Sequence, residues 1–141
     1  MKGVFPMSTK AVVYATGMTG HTKAVAEYIA KKLEADVVNL KDQAKPDLSE
    51  YDTVVVGTGV HAGKPYKPVV ELLQDKAALE GKKVSLFVLC MYKDEKGKSQ
   101  LDKVSKELGV EDAVFFNSKD TSGSPKVDEY AARLRSPWAS Q

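Results

Sequence analysis

The residues best suited to chemistry lie in a short loop rich in hydroxyls and glycines. Its sequence is Ala15-Thr16-Gly17-Met18-Thr19-Gly20-His21-Thr22, between an apolar run and a segment with helical periodicity. The backbone N–H groups of such a loop gather at the start of the following helix, where the helix dipole also favours negative charge. The hydroxyls of Thr16, Thr19 and Thr22 add hydrogen-bond donors without adding charge. The loop therefore predicts an anion site, most simply for a phosphate group.

Two widespread nucleotide-binding motifs do not fit this loop. A Walker A loop ends in Gly-Lys followed by Ser or Thr, whereas here Gly20 is followed by the sequence His-Thr-Lys. A dinucleotide fingerprint requires the spacing Gly-x-Gly-x-x-Gly, which Gly17 and Gly20 do not supply. The alternative without a ligand is a helix N-cap in a tight turn, where Thr and Gly are common.

A second candidate segment, 57–63, follows the apolar run at Thr53–Val56. It contains Gly57, Thr58, Gly59, Val60, His61, Ala62 and Gly63. Its glycine spacing could suit a dinucleotide, but Pro65 and Pro68 follow, and no strand ending in an acidic residue lies about 20 positions on. We expect a loop whose glycines let backbone approach a ligand. The ordinary pKa of His61 lies near neutrality, and an exposed histidine without a role is the alternative.

A third candidate segment begins at Cys90 and includes Tyr92, whose ring could stack on a planar heterocycle. The alternative for Tyr92 is a partly buried tyrosine at a strand end. Cys90 has no His–Asp partner or second cysteine in its sequence context, which favours a small apolar core residue over a nucleophile. The charge run 93–98 is expected to be a solvated loop.

Strand-like and helix-like segments alternate along the chain, which predicts a doubly wound α/β fold with a parallel sheet and helices on both faces. The run Thr53–Val56 is apolar on both sides, as expected of a strand covered on both faces. Gly109 is expected to end a helix. Ligands of such folds bind beyond the carboxyl ends of the strands. The expected strands are 11–14, 36–40, 53–56, 83–90 and 113–116, and the expected helices are 22–33, 66–79, 99–108 and 128–134.

The composition is that of an ordinary globular domain. The 141 residues are 43% hydrophobic and 28% charged, which fits a single domain over 1–141. A net charge of +2 indicates neither a nucleic-acid nor a membrane-surface partner. The single cysteine excludes an internal disulfide. No apolar run suits a signal peptide or a membrane span. The two histidines lie far from the cysteine in sequence, so these residues do not form a zinc-binding cluster. We expect a soluble, cytoplasmic protein without a metal site.

The first loop resembles the phosphate-binding loop of flavodoxins, which reads approximately Ser/Thr-x-x-Thr-Gly-Asn-Thr after the first strand. Thr16, Thr19, Gly20 and Thr22 match this pattern, with His21 in place of the usual Asn. The resemblance implies a flavodoxin-like fold with five parallel strands in the order 2-1-3-4-5 and FMN as the cofactor. It extends over about residues 10–134, and the segment 51–64 looks like the branch that contains menaquinone-dependent protoporphyrinogen dehydrogenase.

The resemblance implies a cofactor site assembled from all three segments, with no metal and no assigned catalytic residue. The phosphate would lie on the first segment, and the isoalloxazine ring would lie beside the second and third. The implied cofactor-binding residues are Thr16, Gly17, Met18, Thr19, Gly20, His21, Thr22, Thr58, Gly59, Val60, His61, Ala62, Gly63, Cys90 and Tyr92.

Three functions are open to such a chain: an FMN-binding electron-transfer protein, a flavin-dependent oxidoreductase of quinone or protoporphyrinogen type, and a cofactor-free α/β binding module. The related dehydrogenases carry a longer insertion in the third segment, and 90–99 is short here, which counts against protoporphyrinogen dehydrogenase activity. A receiver-type module needs acidic residues at the ends of its first and third strands, and Tyr14-Ala15-Thr16 and Val56-Gly57-Thr58 have none.

Basic residues border the expected ring site. They are Lys64, Lys67, Lys93, Lys96 and Lys98, against the acidic Asp94 and Glu95. This excess of positive charge favours an acidic redox partner protein or a small anionic substrate. A quinone is the other substrate expected of such a chain.

Overall fold

The structure of the chain is a computed structural model. It describes residues 10–15, 21–42, 48–49, 51–61, 64–75, 79–90, 94–110, 112–117 and 125–135.

Five parallel strands form the sheet in the described ranges. They are β1 (Lys10–Tyr14), β2 (Asp36–Asn39), β3 (Thr53–His61), β4 (Lys83–Cys90) and β5 (Ala113–Asn117). Their order across the sheet is β2-β1-β3-β4-β5, and each neighbouring pair is parallel. The two-residue strand Lys64–Pro65 pairs antiparallel with the end of β3. The predicted fold and strand order are thereby confirmed.

Within the described ranges, four helices cover the two faces of this sheet. They are α1 (His21–Leu33), α2 (Lys67–Gln74), α3 (Asp94–Leu108) and α4 (Pro125–Arg135). Val69 of α2 and Val104 of α3 belong to the core on one face. Ile29 of α1 and Tyr130 of α4 belong to the core on the other face. The sheet therefore lies between two helical layers, as the alternation of segments predicts.

The central strand β3 is buried on both faces. Val54 and Val56 belong to the core beneath α2 and α3, and Val55 belongs to the core beneath α1 and α4. All three valines have no exposed surface. A continuous apolar run is what a strand covered on both faces requires, because alternate side chains point into opposite layers.

β3 is longer than the sequence analysis predicts, because the expected loop at 57–63 is strand as far as His61. Gly57 pairs with Phe87 of β4, and Gly59 pairs with Leu89 two residues further along. The hydrogen-bonding ladder with β4 therefore carries the strand past the apolar run. The pattern of apolar residues gave no sign of this extension.

Both glycines in this extension make room for an aromatic ring. A Cβ atom at Gly57 would clash with the ring of Phe87, which is fully buried. A Cβ atom at Gly59 would lie 2.5 Å from the hydroxyl oxygen of Tyr66 and 2.8 Å from its Cζ. Glycine in a strand interior often marks such a close approach. The first two glycines of this segment are thus explained by packing within the protein.

Three helices differ from the prediction by more than one residue at an end. α3 begins at Asp94, so most of the charge run expected as a loop is helix. Acidic residues suit a helix start because they complement its dipole, which accounts for Asp94 and Glu95 there. α4 begins at Pro125, a residue type favoured at the first helical position. α2 ends at Gln74, short of the predicted end at Leu79.

Two helices end with a residue in the left-handed conformation. Gly109 follows α3 with a φ of 72°, which confirms it as the predicted helix stop. Glu34 follows α1 with a φ of 54°. The N–H groups of Glu34 and Ala35 donate to the carbonyls of Lys31 and Ala30, the bonding pattern of a Schellman cap. Glu34 is therefore a non-glycine residue at a position that glycine favours.

We predict that Glu34→Gly raises the free energy of unfolding by about 0.5–1 kcal/mol. The left-handed conformation costs an L-residue about 1–2 kcal/mol, and part of this gain is offset by the greater freedom of glycine in the unfolded chain. Urea denaturation measures the change. Glu27→Gly, at an exposed position within α1, is the control and should lower stability by about 1 kcal/mol. A loss of stability in Glu34→Gly would contradict the prediction.

We also predict that Gly57→Ala lowers the free energy of unfolding by about 1–3 kcal/mol, because the added methyl group overpacks the core against Phe87. The double variant Gly57→Ala/Phe87→Leu should cost less than the two single changes added together, since the smaller side chain leaves space for the methyl group. Thermal or urea unfolding of the four proteins provides this cycle. Strict additivity would show that the two positions do not interact.

Candidate functional site

The three strands that precede the predicted binding segments end at the same edge of the sheet. Tyr14, the last residue of β1, lies opposite Gly57, which in turn lies opposite Phe87 of β4. The N–H of Ala15 donates to the carbonyl of Gly57 at 3.1 Å, so the chain leaving β1 stays close to β3. β3 then continues through Thr58–His61, beyond its last pairing with β1. The fold therefore brings the three candidate segments to one carboxyl edge.

The start of α1 is the phosphate-binding end of the predicted site. His21 is the first residue of the helix, and Thr22, the second, is only 4% exposed. No hydrogen bond to the Thr22 hydroxyl comes from the described residues. The first turn of α1 contains no acidic residue, so no side chain there offsets the positive end of the helix dipole. A buried hydroxyl at an uncompensated helix start suits an anion such as a phosphate.

The loop before this helix start lies outside the described residues. The predicted site residues in it are Thr16, Gly17, Met18, Thr19 and Gly20.

Thr58 lies at the same edge, and its hydroxyl is used within the protein. The side chain has no exposed surface. Its hydroxyl donates to the carbonyl of Gly59 at 2.8 Å and accepts a hydrogen bond from the N–H of Tyr66 at 3.0 Å. The second of these bonds joins β3 to the residue directly before α2. The sequence predicts Thr58 as a cofactor-binding residue, and the structure shows its hydroxyl engaged in these two internal bonds.

Val60 and His61 of the second segment belong to a hairpin. Val60 pairs with Pro65 and His61 with Lys64, so the chain turns back directly after β3. The predicted site residues Ala62 and Gly63 are not among the described residues.

The third segment begins at the end of β4. Cys90 is the last residue of that strand and pairs with Asn117 of β5. Tyr92 falls outside the described part of the chain. Cys90 is thus placed at the same carboxyl edge as Thr22 and Thr58.

Tyr66 is an aromatic residue at this edge that the predicted site does not include. It immediately precedes α2, is partly buried, and packs against the core beneath α2 and α3. Its ring occupies the space above Gly59. The signal in the sequence was the second glycine of the Gly-x-Gly pattern, which can mark the place where a ring from elsewhere contacts the strand.

Tyr14 adds a neutral phenol near the end of β1. Burial raises its pKa above the ordinary value, and the negative charges of Glu27 and Asp42 raise it further. A hydrogen bond with the side chain of Asn39, the residue opposite Tyr14 on β2, lowers the pKa and so acts in the opposite direction. Tyr14 therefore stays protonated near neutral pH and contributes no charge to this edge.

A concavity lies at the opposite, amino-terminal edge of the sheet, with a volume of about 450 Å³. Its lining is mainly apolar, including Leu73, Val84 and Leu108, and Glu80 and Asp112 are also among the lining residues. Asp112 forms a bidentate pair with the Arg133 guanidinium, at 2.9 and 3.1 Å. Leu108 is the last residue of α3, so the negative end of that helix dipole makes this concavity a poor site for a phosphate, whereas the carboxyl edge offers a helix N-terminus.

No helix in the described ranges is both long enough and apolar enough to cross a membrane. The same residues contain no group of three or more His, Cys, Asp or Glu side chains arranged to hold a metal ion.

One related sequence is an uncharacterised protein of Methanocaldococcus jannaschii. It is 37% identical to this chain over 68 residues, which represent 48% of this chain and 44% of the relative. The match therefore spans less than half the length of that protein.

Solved structures with the same fold include a flavodoxin, WrbA-like protein from Agrobacterium tumefaciens. Its TM-score is 0.65 at 17% identity, with 89% of this chain and 94% of that chain covered. Oxidised flavodoxin 2 from Bacillus cereus gives a TM-score of 0.64 at 19% identity, with coverage of 87% and 95%. At these identities the similarity establishes the fold.

The family is established by sequence. A family model described as "Flavodoxin domain" matches residues 11–119, which include β1 to β5 and the three candidate segments. This match identifies the family and does not distinguish the dehydrogenase branch within it. The parallel sheet in the order 2-1-3-4-5 agrees with the match. The chain therefore belongs to the flavodoxin domain family.

Proposed function

We propose that this chain binds FMN at the carboxyl edge of β1, β3 and β4 and serves as an electron-transfer protein. The observation that carries the proposal is the buried hydroxyl of Thr22 at the start of α1, in a chain of the flavodoxin domain family. FMN, when bound, supplies reversible electron transfer, while the protein supplies binding and tunes the potential.

The phosphate end of the site depends on neutral donors. The N–H groups at the start of α1 and the Thr22 hydroxyl would hold the phosphate, joined by the hydroxyls of Thr16 and Thr19 from the preceding loop. A hydrogen bond to a charged group contributes about 1.5–3 kcal/mol, so a few such donors can anchor a dianion without a lysine or arginine. The helix dipole acts in the same direction.

The ring end of the site depends on the hairpin that follows β3 and on the segment that follows β4. Backbone of residues 59–63 would form one side of the ring pocket. Cys90 and Tyr92 would form the other, with the Tyr92 ring stacked on the flavin. β3 and β4 are adjacent and parallel, so these two segments leave the sheet side by side.

The basic residues near the proposed ring site suggest the chemistry of the partner. Lys67 is exposed at the start of α2, and Lys64 lies in the hairpin beside β3. Positive charge at this edge would attract an acidic redox protein or a small anionic substrate. We propose an acidic protein partner.

The direct test of the proposed function is uptake of FMN by the purified protein. We expect a yellow protein, or a colourless one that turns yellow after incubation with FMN and gel filtration, with flavin absorption that co-elutes with the chain. A folded protein that takes up no FMN would contradict the proposal and support a cofactor-free binding module instead.

We predict that Thr22→Val weakens FMN binding by at least about tenfold, the effect of losing one hydrogen bond to a charged group. Thr22→Ser keeps the hydroxyl and should bind FMN within a few-fold of the original protein. Fluorescence titration measures both affinities. Riboflavin lacks the phosphate, so its affinity should change little in Thr22→Val. Equal losses for FMN and riboflavin would place the phosphate away from Thr22.

We predict that replacing Lys64 and Lys93 by Glu lowers the two-electron midpoint potential of bound flavin, because less positive charge near the ring disfavours the addition of electrons. A unit charge at 4 Å contributes about 1 kcal/mol in water, and salt reduces the effect. The control replaces Lys31 and Lys106 by Glu, in the last turns of α1 and α3. Potentiometric titration at low salt should show a drop only in the first variant. An unchanged or higher potential there would contradict the prediction.

A further inference from the structure

We infer that Thr58 is a positioning residue for the flavin ring, acting through the hairpin that follows β3 rather than by contact with the cofactor. The inference rests on the proposed function, because it assigns a role to Thr58 at the same site. It is carried by the two hydrogen bonds of the Thr58 hydroxyl and by the packing of Tyr66 on Gly59.

The hydroxyl of Thr58 connects two parts of the chain that the parallel sheet does not connect. Gly57 is the last residue of β3 paired with β1, so the strand continues beyond that neighbour. Three residues later, from Val60, the strand pairs with Lys64–Pro65, and the chain enters α2 after Tyr66. The bond from the Tyr66 N–H to the Thr58 hydroxyl fixes the start of α2 against β3.

Because the Thr58 hydroxyl is buried, its hydrogen bonds matter for stability. Thr58 has no exposed surface, and a buried hydroxyl that lacks partners costs a few kcal/mol. Here its donor and an acceptor lone pair are both used, toward the Gly59 carbonyl and the Tyr66 N–H. Valine has the same shape and a similar volume, but it can make neither bond. The position therefore favours threonine over valine for a reason that shape alone does not supply.

The ring of Tyr66 adds a second constraint on the same hairpin. Its hydroxyl and Cζ lie where a side chain at Gly59 would begin, so the ring covers one face of the strand there. The backbone of Gly59 is thus held by Thr58 through its carbonyl and covered by Tyr66. Residues 59–63, proposed as one side of the ring pocket, begin from this fixed point. Preorganisation of this kind strengthens binding because less freedom is lost when the ligand arrives.

Thr53 provides a matched control. It is the first residue of β3, is 2% exposed, and donates its hydroxyl to the Asp52 carboxylate at 3.1 Å. Thr53→Val therefore removes one hydroxyl from a buried position of the same strand, at the edge opposite the proposed site. A purely structural role for Thr58 predicts that the two valine variants differ in stability at most, and not in flavin binding.

The test compares FMN affinity and the flavin absorption spectrum of the full chain with those of Thr58→Val, Thr58→Ser and Thr53→Val. We expect Thr58→Val to raise the FMN dissociation constant by about fivefold, as for the loss of one net hydrogen bond, and to shift the visible flavin bands. Thr58→Ser should bind FMN with a dissociation constant within about twofold of the original protein and should restore the positions of the visible bands. Thr53→Val should leave both unchanged, even where its melting temperature falls.

A second measurement needs no substitution. Amide hydrogen exchange of the original protein without flavin should show the Tyr66 N–H already protected, with little further protection after FMN is added. A Tyr66 amide that exchanges freely before loading would overturn the inference, as would a Thr58→Val variant that binds FMN like the original protein. Failure of the original protein to bind FMN would overturn the proposed function, and the positioning role with it.

Discussion

The burial of β3 on both faces is the constraint on which the rest of the structure depends. A strand between two helical layers and two parallel neighbours has no solvent to satisfy its backbone or its side chains, so each position must fit. The apolar residues of β3 meet this demand in its first half. In its second half, Gly57 and Gly59 leave space for the rings of Phe87 and Tyr66. The Thr58 hydroxyl there is hydrogen-bonded within the protein, to the carbonyl of Gly59 and the N–H of Tyr66. The packing of successive residues along β3 thus determines where the carboxyl edge of the sheet lies.

The two edges of the sheet differ in electrostatics, and this difference selects the site. At the carboxyl edge, α1 begins with no acidic side chain in its first turn and with the buried hydroxyl of Thr22. At the amino-terminal edge, the cavity beside Val84 is lined partly by Leu108, the last residue of α3, where the helix dipole is negative. An anion is favoured at the first edge and disfavoured at the second. The neutral Tyr14 at the end of β1 leaves this contrast unchanged.

The sequence predicted the fold well because its strongest signals are periodic. The run Thr53–Val56 and the helical spacing of Val25, Ile29 and Leu33 report directly which faces are buried. The sequence also predicted that the first loop leaves β1 at the carboxyl edge of the sheet. The extension of β3 to His61 was missed because it depends on pairing with β4 and on two aromatic rings, one of them 30 residues away from Gly57. The internal use of the Thr58 hydroxyl was missed for the same reason, since hydrogen-bond partners across a hairpin leave no periodic trace.

The central claim, that FMN binds at the carboxyl edge of β1, β3 and β4, is tested most directly by mapping backbone amide chemical shifts as FMN is titrated into the labelled protein. We expect the largest changes at the start of α1 around Thr22, in β3 from Gly57 to His61, and at Cys90. Residues at the opposite edge, such as Val84 and Asp112, should be unaffected. Changes concentrated around Val84, Leu108 and Asp112, or no saturable change at all, would contradict the claim.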